Sequence, residues 1–421
     1  MARLLVVTSR LPYPPREGHQ LRSWNLLKAL AEKHDVTLLS FLRRDDDLAV
    51  AGPLKSLLHD RLETFPIPSE HSRWSLLVAL VKSLFTPTPF TTAKYATSAL
   101  RQRLSAIASD FDLVHFDMLP LMAHADCVPA GIPAVLNAHN VEYQLLDKRA
   151  ELETRLPHRL FLDGQRAKLH GFERNACQQA SAVLACSSND AVELQKLAPG
   201  KPVVVIANGV DLSANHPAPV PAGSAQLVFV GQMGWFPNKD GVQWFLRDIF
   251  PRILAARPDA EFVLVGKTEG LDVPADVAHR VRIAGFVSDL RPYVHAAAVY
   301  VVPLRAGSGT RLKVLEAMAL GKAIVTTHVG SEGIELVDGK SAVYADDAES
   351  FAQATLGLLA SPGKVAQLGT AARELAEARY GWQAIGEQLT DFYERLLSAP
   401  LDPSTLPRLE SASIGERTLA P

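Results

Sequence analysis

Short, almost wholly apolar runs alternate with helix-length amphipathic stretches along this chain, and the alternation runs twice. The first pass contains Leu4–Val7, a helical pattern over Gln20–Lys33, then Val36–Phe41, Leu113–Phe116, Ala134–Ala138, Ala182–Ala185 and Pro202–Ile206. The second restarts at Gln226–Gly231, with a helical pattern from Gly241 to Ala256, and continues through Glu261–Gly266, Val281–Ala284, Val299–Val302 and Ala323–Thr326. Strands apolar at nearly every position are buried on both faces, which a parallel sheet between two layers of helices requires. Between the passes, Asp211–Ser224 is proline-rich and aperiodic, as a domain boundary should be. With 421 residues, 48% of them hydrophobic, two cores can be filled. The expectation is an α/β protein of two doubly wound, Rossmann-like domains facing across a cleft. Residues 1–210 form the first domain, 211–224 the linker, 225–380 the second domain, 381–398 a last helix and 399–421 a mobile tail.

Composition narrows the function. A formal charge of -2 and a pI near 6.7 give no electrostatic reason for nucleic-acid binding. Cys127, Cys177 and Cys186 form no CxxC pair and are odd in number, which points to a reducing, cytoplasmic setting without a cysteine zinc site. Met1-Ala2-Arg3 leads directly into a strand-like run, so no signal peptide is expected. Trp74–Phe85 is the most apolar helical stretch, but it falls short of the roughly 20 residues that span a bilayer.

The chemistry concentrates in Leu304–Thr326. Ala298–Pro303 reads as a buried strand, Gly307-Ser308-Gly309 as a turn, and Thr310–Leu320 as a helix closed by Gly321. A helix starting after glycines offers free N–H groups and the positive end of its dipole to an anion. Thr310 either caps the helix or donates to a phosphate. Arg311 and Lys313 add charge at this seat, and Arg305 approaches from the strand end. Glu316 leans toward the helix start, where its two oxygens suit a ribose diol. The same glycines also suit an ordinary connector.

Taken in order, Pro12–Gly18 with Arg22, His139–Glu142, Val205–Asp211, Phe229–Asn238, Ala284–Leu290 and Gly307–Glu316 resemble the retaining glycosyltransferases of the GT-B fold, family 4 in particular. The type is that of bacterial sugar transferases from exopolysaccharide or exosortase loci. The resemblance implies that a nucleoside diphosphate sugar binds mainly the second domain and the acceptor mainly the first. On that footing Glu316 holds the ribose, the Gly309–Thr310–Arg311 backbone holds the diphosphate, and Phe286 and Val287 meet the nucleobase. The match to the family's active-site histidine implies a sugar contact for His139, which follows a strand at its carboxyl end. Gly18 either admits a diphosphate or sugar from the opposite wall or simply turns the chain; Arg22 faces either the cleft or solvent.

Two positions depart from the family pattern. Ser308 stands where many members carry a second glutamate touching the donor sugar, and Gln232 follows Gly231, with the nearby lysine at Lys239, where a basic pair usually grips the diphosphate. Arg311, Lys313 and Arg305 are expected to supply part of that charge. The implied reaction moves a sugar from donor to a hydroxyl acceptor, saccharide or lipid-linked, with retention and without metal or cofactor. The alternatives are a nucleotide-sugar epimerase of the same architecture and an inactive sugar-nucleotide-binding protein. Trp74–Phe85 is either a peripheral contact with the inner face of a membrane or a buried helix of the first domain.

Overall fold

The computed structural model describes residues 1–15, 17–43, 46–153, 155–307 and 309–398. The first sheet contains β1 (Arg3–Thr8), β2 (Asp35–Leu42), β3 (Leu62–Pro66), β4 (Leu113–Asp117), β5 (Ala134–Asn137), β6 (Ala182–Ala185) and β7 (Val203–Val205), in the order β3-β2-β1-β4-β5-β6-β7. The second contains β8 (Gln226–Val230), β9 (Glu261–Val265), β10 (Val281–Gly285), β11 (Val299–Val302), β12 (Ala323–Thr326) and β13 (Val343–Tyr344), in the order β10-β9-β8-β11-β12-β13. Every pairing in both sheets is parallel. The strand order reverses direction beside β1 and beside β8, and such switch points are where open α/β sheets gather ligands.

Continuous apolar strands bury both faces: residues of β1 divide alternately between the two first-domain cores, Leu5 and Val7 in one, Leu4 and Val6 in the other. The sequence pattern missed β3 and β13. The former is a half-exposed edge strand that mixes polar with apolar residues, and the latter is only two residues long. The helix expected from Gly241 begins at Phe236 and runs through a π-helical turn, Phe245–Ile249, to Ala256. Residues 399–421, expected as a tail, lie outside the described residues.

After the second domain the chain crosses back. Val210 accepts from the Trp382 backbone at 3.3 Å and donates to Tyr380 O at 2.7 Å, so the outgoing linker and the returning chain pair at one crossing point. The helix Trp382–Ser398 then buries Ile385, Leu389, Phe392, Tyr393 and Leu396 in a first-domain core. A Cβ at Gly386 would lie 2.5 Å from Ala29 Cβ, so the two helices cross at a distance only glycine permits. The linker is tied down as well: Arg373 donates to Leu212 O, Asn215 O and Ala319 O.

The helix Arg73–Phe85 forms, but the buried alternative for it is incorrect. Trp74 is 72% and Phe85 85% exposed, with Leu76, Leu77, Val78, Val81 and Leu84 also exposed. Lys168 ties its end down, Nζ donating to Ser83 O at 2.6 Å and Leu84 O at 3.0 Å, while its apolar face stays outside. No helix among the described residues is long and apolar enough to cross a membrane.

Candidate active site

Both walls of the cleft are made from carboxyl ends of strands. On the second wall the turn after β11 ends with Gly309 at φ +75°, and the helix begins at Leu312, two residues later than the sequence pattern predicts. Thr310 therefore does not cap it; its hydroxyl donates across the cleft to Cys186 O at 3.3 Å. A Cβ on Gly309 would come within 2.3 Å of Asn140 Oδ1, and one on Gly18 within 2.8 Å of Leu312 Cδ1. The glycines at 18 and 309 thus let the two walls touch. Ser308 lies outside the described residues.

Lys313 reaches back to β8, donating to Asn238 Oδ1 at 2.6 Å and sitting 4.1 Å from the Phe229 ring centroid. Its Nζ occupies the space that a Cβ on Gly231 would need. Lysine from the later helix thereby brings charge to the loop where the usual basic pair is displaced. Burial, and then Arg311, push Lys313 down to about 7, with Glu316 opposing. One turn on, burial pushes Glu316 up to about 7 against the pull of Lys313, and its carboxylate has no hydrogen-bond partner among the described residues. Two half-buried, incompletely paired charges of opposite sign therefore lie within one turn of each other, with shifted pKa values, an arrangement typical of ligand sites.

The remaining second-domain candidates separate. Arg311 is buried beneath Gly307, Nε and Nη2 donating to Val329 O at 3.4 and 3.3 Å, with Glu332 Oε2 3.7 Å away. Arg305 turns away from the seat: it forms a bidentate pair with Asp240 at 3.1 and 2.7 Å and covers the Trp244 ring. Phe286, after β10, is 72% exposed, while Val287 packs against the domain core.

The first wall holds a connected polar network. Arg22 is 1% exposed, facing neither solvent nor an open cleft. It donates to Asn137 Oδ1 at 2.8 and 3.3 Å, Ala207 O at 3.0 Å and Asn208 Oδ1 at 3.2 Å. It ties β5 to Ala207 and Asn208, in the chain just before the linker. Asn137 Nδ2 donates to Asp117 Oδ1 at 2.7 Å, and His139 Nε2 meets the same oxygen at 2.7 Å. Ser23 donates to Asp117 Oδ2 at 2.5 Å. Burial opposes ionisation of Asp117, but the neighbouring His139 and His115 side chains hold its carboxyl well below the usual range. His19, next to Gly18, has a buried Nε2 without a partner; burial, Arg10 and His139 push its pKa down to about 4.

Sequence reasoning missed Asp117, Asn137, His19 and Asn140. Asp117 ends β4 beside β5, so the rule that pointed to His139 at a strand end also applied to it. Among the described residues, no group of three or more His, Cys, Asp or Glu side chains is disposed to hold a metal ion.

Comparison with known proteins settles the family. The family model described as Glycosyltransferase Family 4 matches residues 17–214, and that described as Glycosyl transferases group 1 matches residues 224–361. The chain belongs to the GT-B glycosyltransferases of family 4 type. Among similar proteins, the phosphatidyl-myo-inositol mannosyltransferase of Mycolicibacterium smegmatis is 29% identical over 211 residues, 48% of this chain and 54% of that protein. An alpha-maltose-1-phosphate synthase of Mycobacterium tuberculosis is 28% identical over 313 residues, 66% of this chain and 76% of that one. The match to the mannosyltransferase thus spans about half of that protein's length. In fold, this glycosyltransferase resembles Anabaena HepE, solved in complex with UDP, at a TM-score of 0.63 and 16% identity, covering 94% of this chain and 100% of that one. It also resembles the sucrose-phosphate synthase of Thermosynechococcus elongatus at a TM-score of 0.66 and 18% identity, covering 94% and 99%.

Proposed function

We propose that the protein transfers a glycosyl group from a nucleoside diphosphate sugar to a hydroxyl acceptor, with retention at the anomeric carbon. The observation that carries this reading is the incompletely paired Lys313 and Glu316 on the helix that follows β11, where Gly309, just before that helix, packs against Asn140 and His139 of the first wall. The bond from the anomeric carbon to the diphosphate breaks and a bond to the acceptor oxygen forms; the acceptor's proton passes to the departing diphosphate. Negative charge grows on that leaving group. The free N–H groups that begin the helix Leu312–Ala319, together with the Lys313 ammonium, are placed to stabilise it. Glu316 holds the ribose, and no resident metal or cofactor enters the scheme. His139 receives the donor sugar from the first wall.

A saccharide or lipid-linked acceptor on a path to envelope or exopolysaccharide suits this reading, and the similar mannosyltransferase is named for a lipid acceptor. The exposed apolar face of Arg73–Phe85 supports peripheral attachment to the inner face of a membrane from the cytoplasm. Trp74→Ser with Phe85→Ser should reduce sedimentation with anionic liposomes; equal sedimentation of both proteins removes this helix from the interface.

The experiment for the main reading is a screen of nucleoside diphosphate sugars by thermal shift, followed by product analysis with hydroxyl acceptors. Transfer with retention supports the proposal. Donor conversion without acceptor would indicate an epimerase, and tight donor binding without turnover an inactive binding protein.

A further inference from the structure

A line of buried titratable side chains runs behind His139 and reaches the returning C-terminal helix. Tyr393 Oη lies 2.5 Å from His115 Nδ1, His115 Nε2 lies 3.8 Å from Asp117 Oδ1, and that oxygen lies 2.7 Å from His139 Nε2. Tyr393, His115, Asp117 and His139 are all buried, so no solvent competes for these contacts. Asp117 also accepts from Ser23 and Asn137. A carboxylate surrounded by donors is held ionised, and an ionised carboxylate only accepts. The hydrogen between it and His139 therefore sits on the imidazole Nε2.

The opposite edge of His139 has no protein partner among the described residues, and its Nδ1 is absent from the sealed, unpartnered polar atoms of the first wall. The backbone of the same residue borders the Gly309 turn, His139 O lying 3.9 Å from where a Cβ of Gly309 would stand. We infer that Asp117 is a positioning residue: it fixes His139 in the tautomer protonated on Nε2, so that the bare Nδ1 faces the cleft as an acceptor for a hydroxyl of the donor sugar. The role of that hydroxyl contact rests on the proposed function; the tautomer itself does not. Tyr393 supports the arrangement from behind. Donating to His115 Nδ1, it leaves the His115 Nε2–H edge toward Asp117.

Nitrogen NMR of protein labelled with 15N-histidine tests this, the His139 signals being identified by their loss in His139→Gln. The wild type should show a protonated Nε2 and a bare Nδ1; a neutral ring protonated on Nδ1 overturns the inference. In Asp117→Asn the carboxamide can turn its NH2 toward Nε2, and the ring should move to the Nδ1–H tautomer. The kcat/KM for the nucleotide sugar should then fall roughly tenfold, the scale of one lost hydrogen bond. Affinity for the bare nucleoside diphosphate, seated on the second wall, should stay within about twofold. An unchanged tautomer, or an unchanged kcat/KM in an active wild type, contradicts the assignment. Should Asp117→Asn fail to fold by circular dichroism, the wild-type spectrum decides. A wild type that turns over no nucleoside diphosphate sugar defeats the proposed function while leaving the tautomer measurement standing.

Discussion

On the first wall of the cleft Arg22, Asp117, Asn137 and His139 are buried and each meets at least one well-placed partner, whereas on the second wall, among the described residues, Glu316 has no hydrogen-bond partner and Lys313 has one acceptor and a ring face. Buried polar groups hold a structure together when their hydrogen bonds are complete and strain it when they are not. The difference teaches a division of labour. The first wall uses charge to fix geometry, tying strand ends to the chain entering the linker and to the last helix; on the proposed function, the second keeps charge in reserve for a ligand.

Arg22→Met puts the first half of that comparison at greatest risk. It leaves the oxygens of Asn137, Ala207 and Asn208 without their donor, and stability to denaturant should fall by about 3–5 kcal/mol. A loss under about 1 kcal/mol would mean that the network is ornamental to the fold. Next comes Glu316→Gln, which should weaken nucleoside diphosphate binding by about 1.5–3 kcal/mol, read by calorimetry, while the ligand-free protein becomes no less stable. Unchanged affinity would take the residue out of the site.

The two half-buried charges of the second wall also predict a pH signature. Glu316, raised from 4.5 to about 7, holds a proton in the folded state that the unfolded chain has released, so its contribution to stability falls as pH rises across that window. Lys313, lowered from 10.5 to about 7, binds fewer protons folded than unfolded, so its contribution rises between about 7 and 10.5. Subtracting the stability profile of Lys313→Met with Glu316→Gln from that of the wild type should therefore leave a minimum near pH 7. At that pH Lys313→Met alone should stabilise the ligand-free protein by about 1–2 kcal/mol, as removal of a functional strain commonly does. A flat difference profile would equate the two walls. The smallest effect belongs to Arg305→Ala, whose exposed pairing with Asp240 is worth about 1 kcal/mol or less, and which should leave nucleotide affinity unchanged.

Which features the sequence revealed follows from the same physics. Strands buried on both faces carry their own signature, so Ala182–Ala185, Val299–Val302 and Ala323–Thr326 were legible to the residue, while β3 and β13, short and half-covered, were not. The strand β11, the connecting loop and the helix that carries Lys313 and Glu316 were legible in that order, with the helix starting two residues late. The direction each arginine takes was not: Arg22 and Arg305 are turned by Asn137 and Asp240, residues 115 and 65 positions away. Tyr393 was silent for the same reason, since only the crossover at Val210 and Gly381 brings the last helix behind β4, whereas Asp117, at the end of β4, was open to the strand-end rule.

The central claim is that the second wall seats a nucleoside diphosphate through Lys313. Calorimetric titration of the wild type and Lys313→Met with a nucleoside diphosphate and, separately, with its bare nucleoside tests it most directly. The account predicts that the wild type prefers the diphosphate, and that the substitution lowers diphosphate affinity by about tenfold or more while nucleoside affinity holds. Equal losses for both ligands, or a wild type indifferent to the diphosphate, would contradict it.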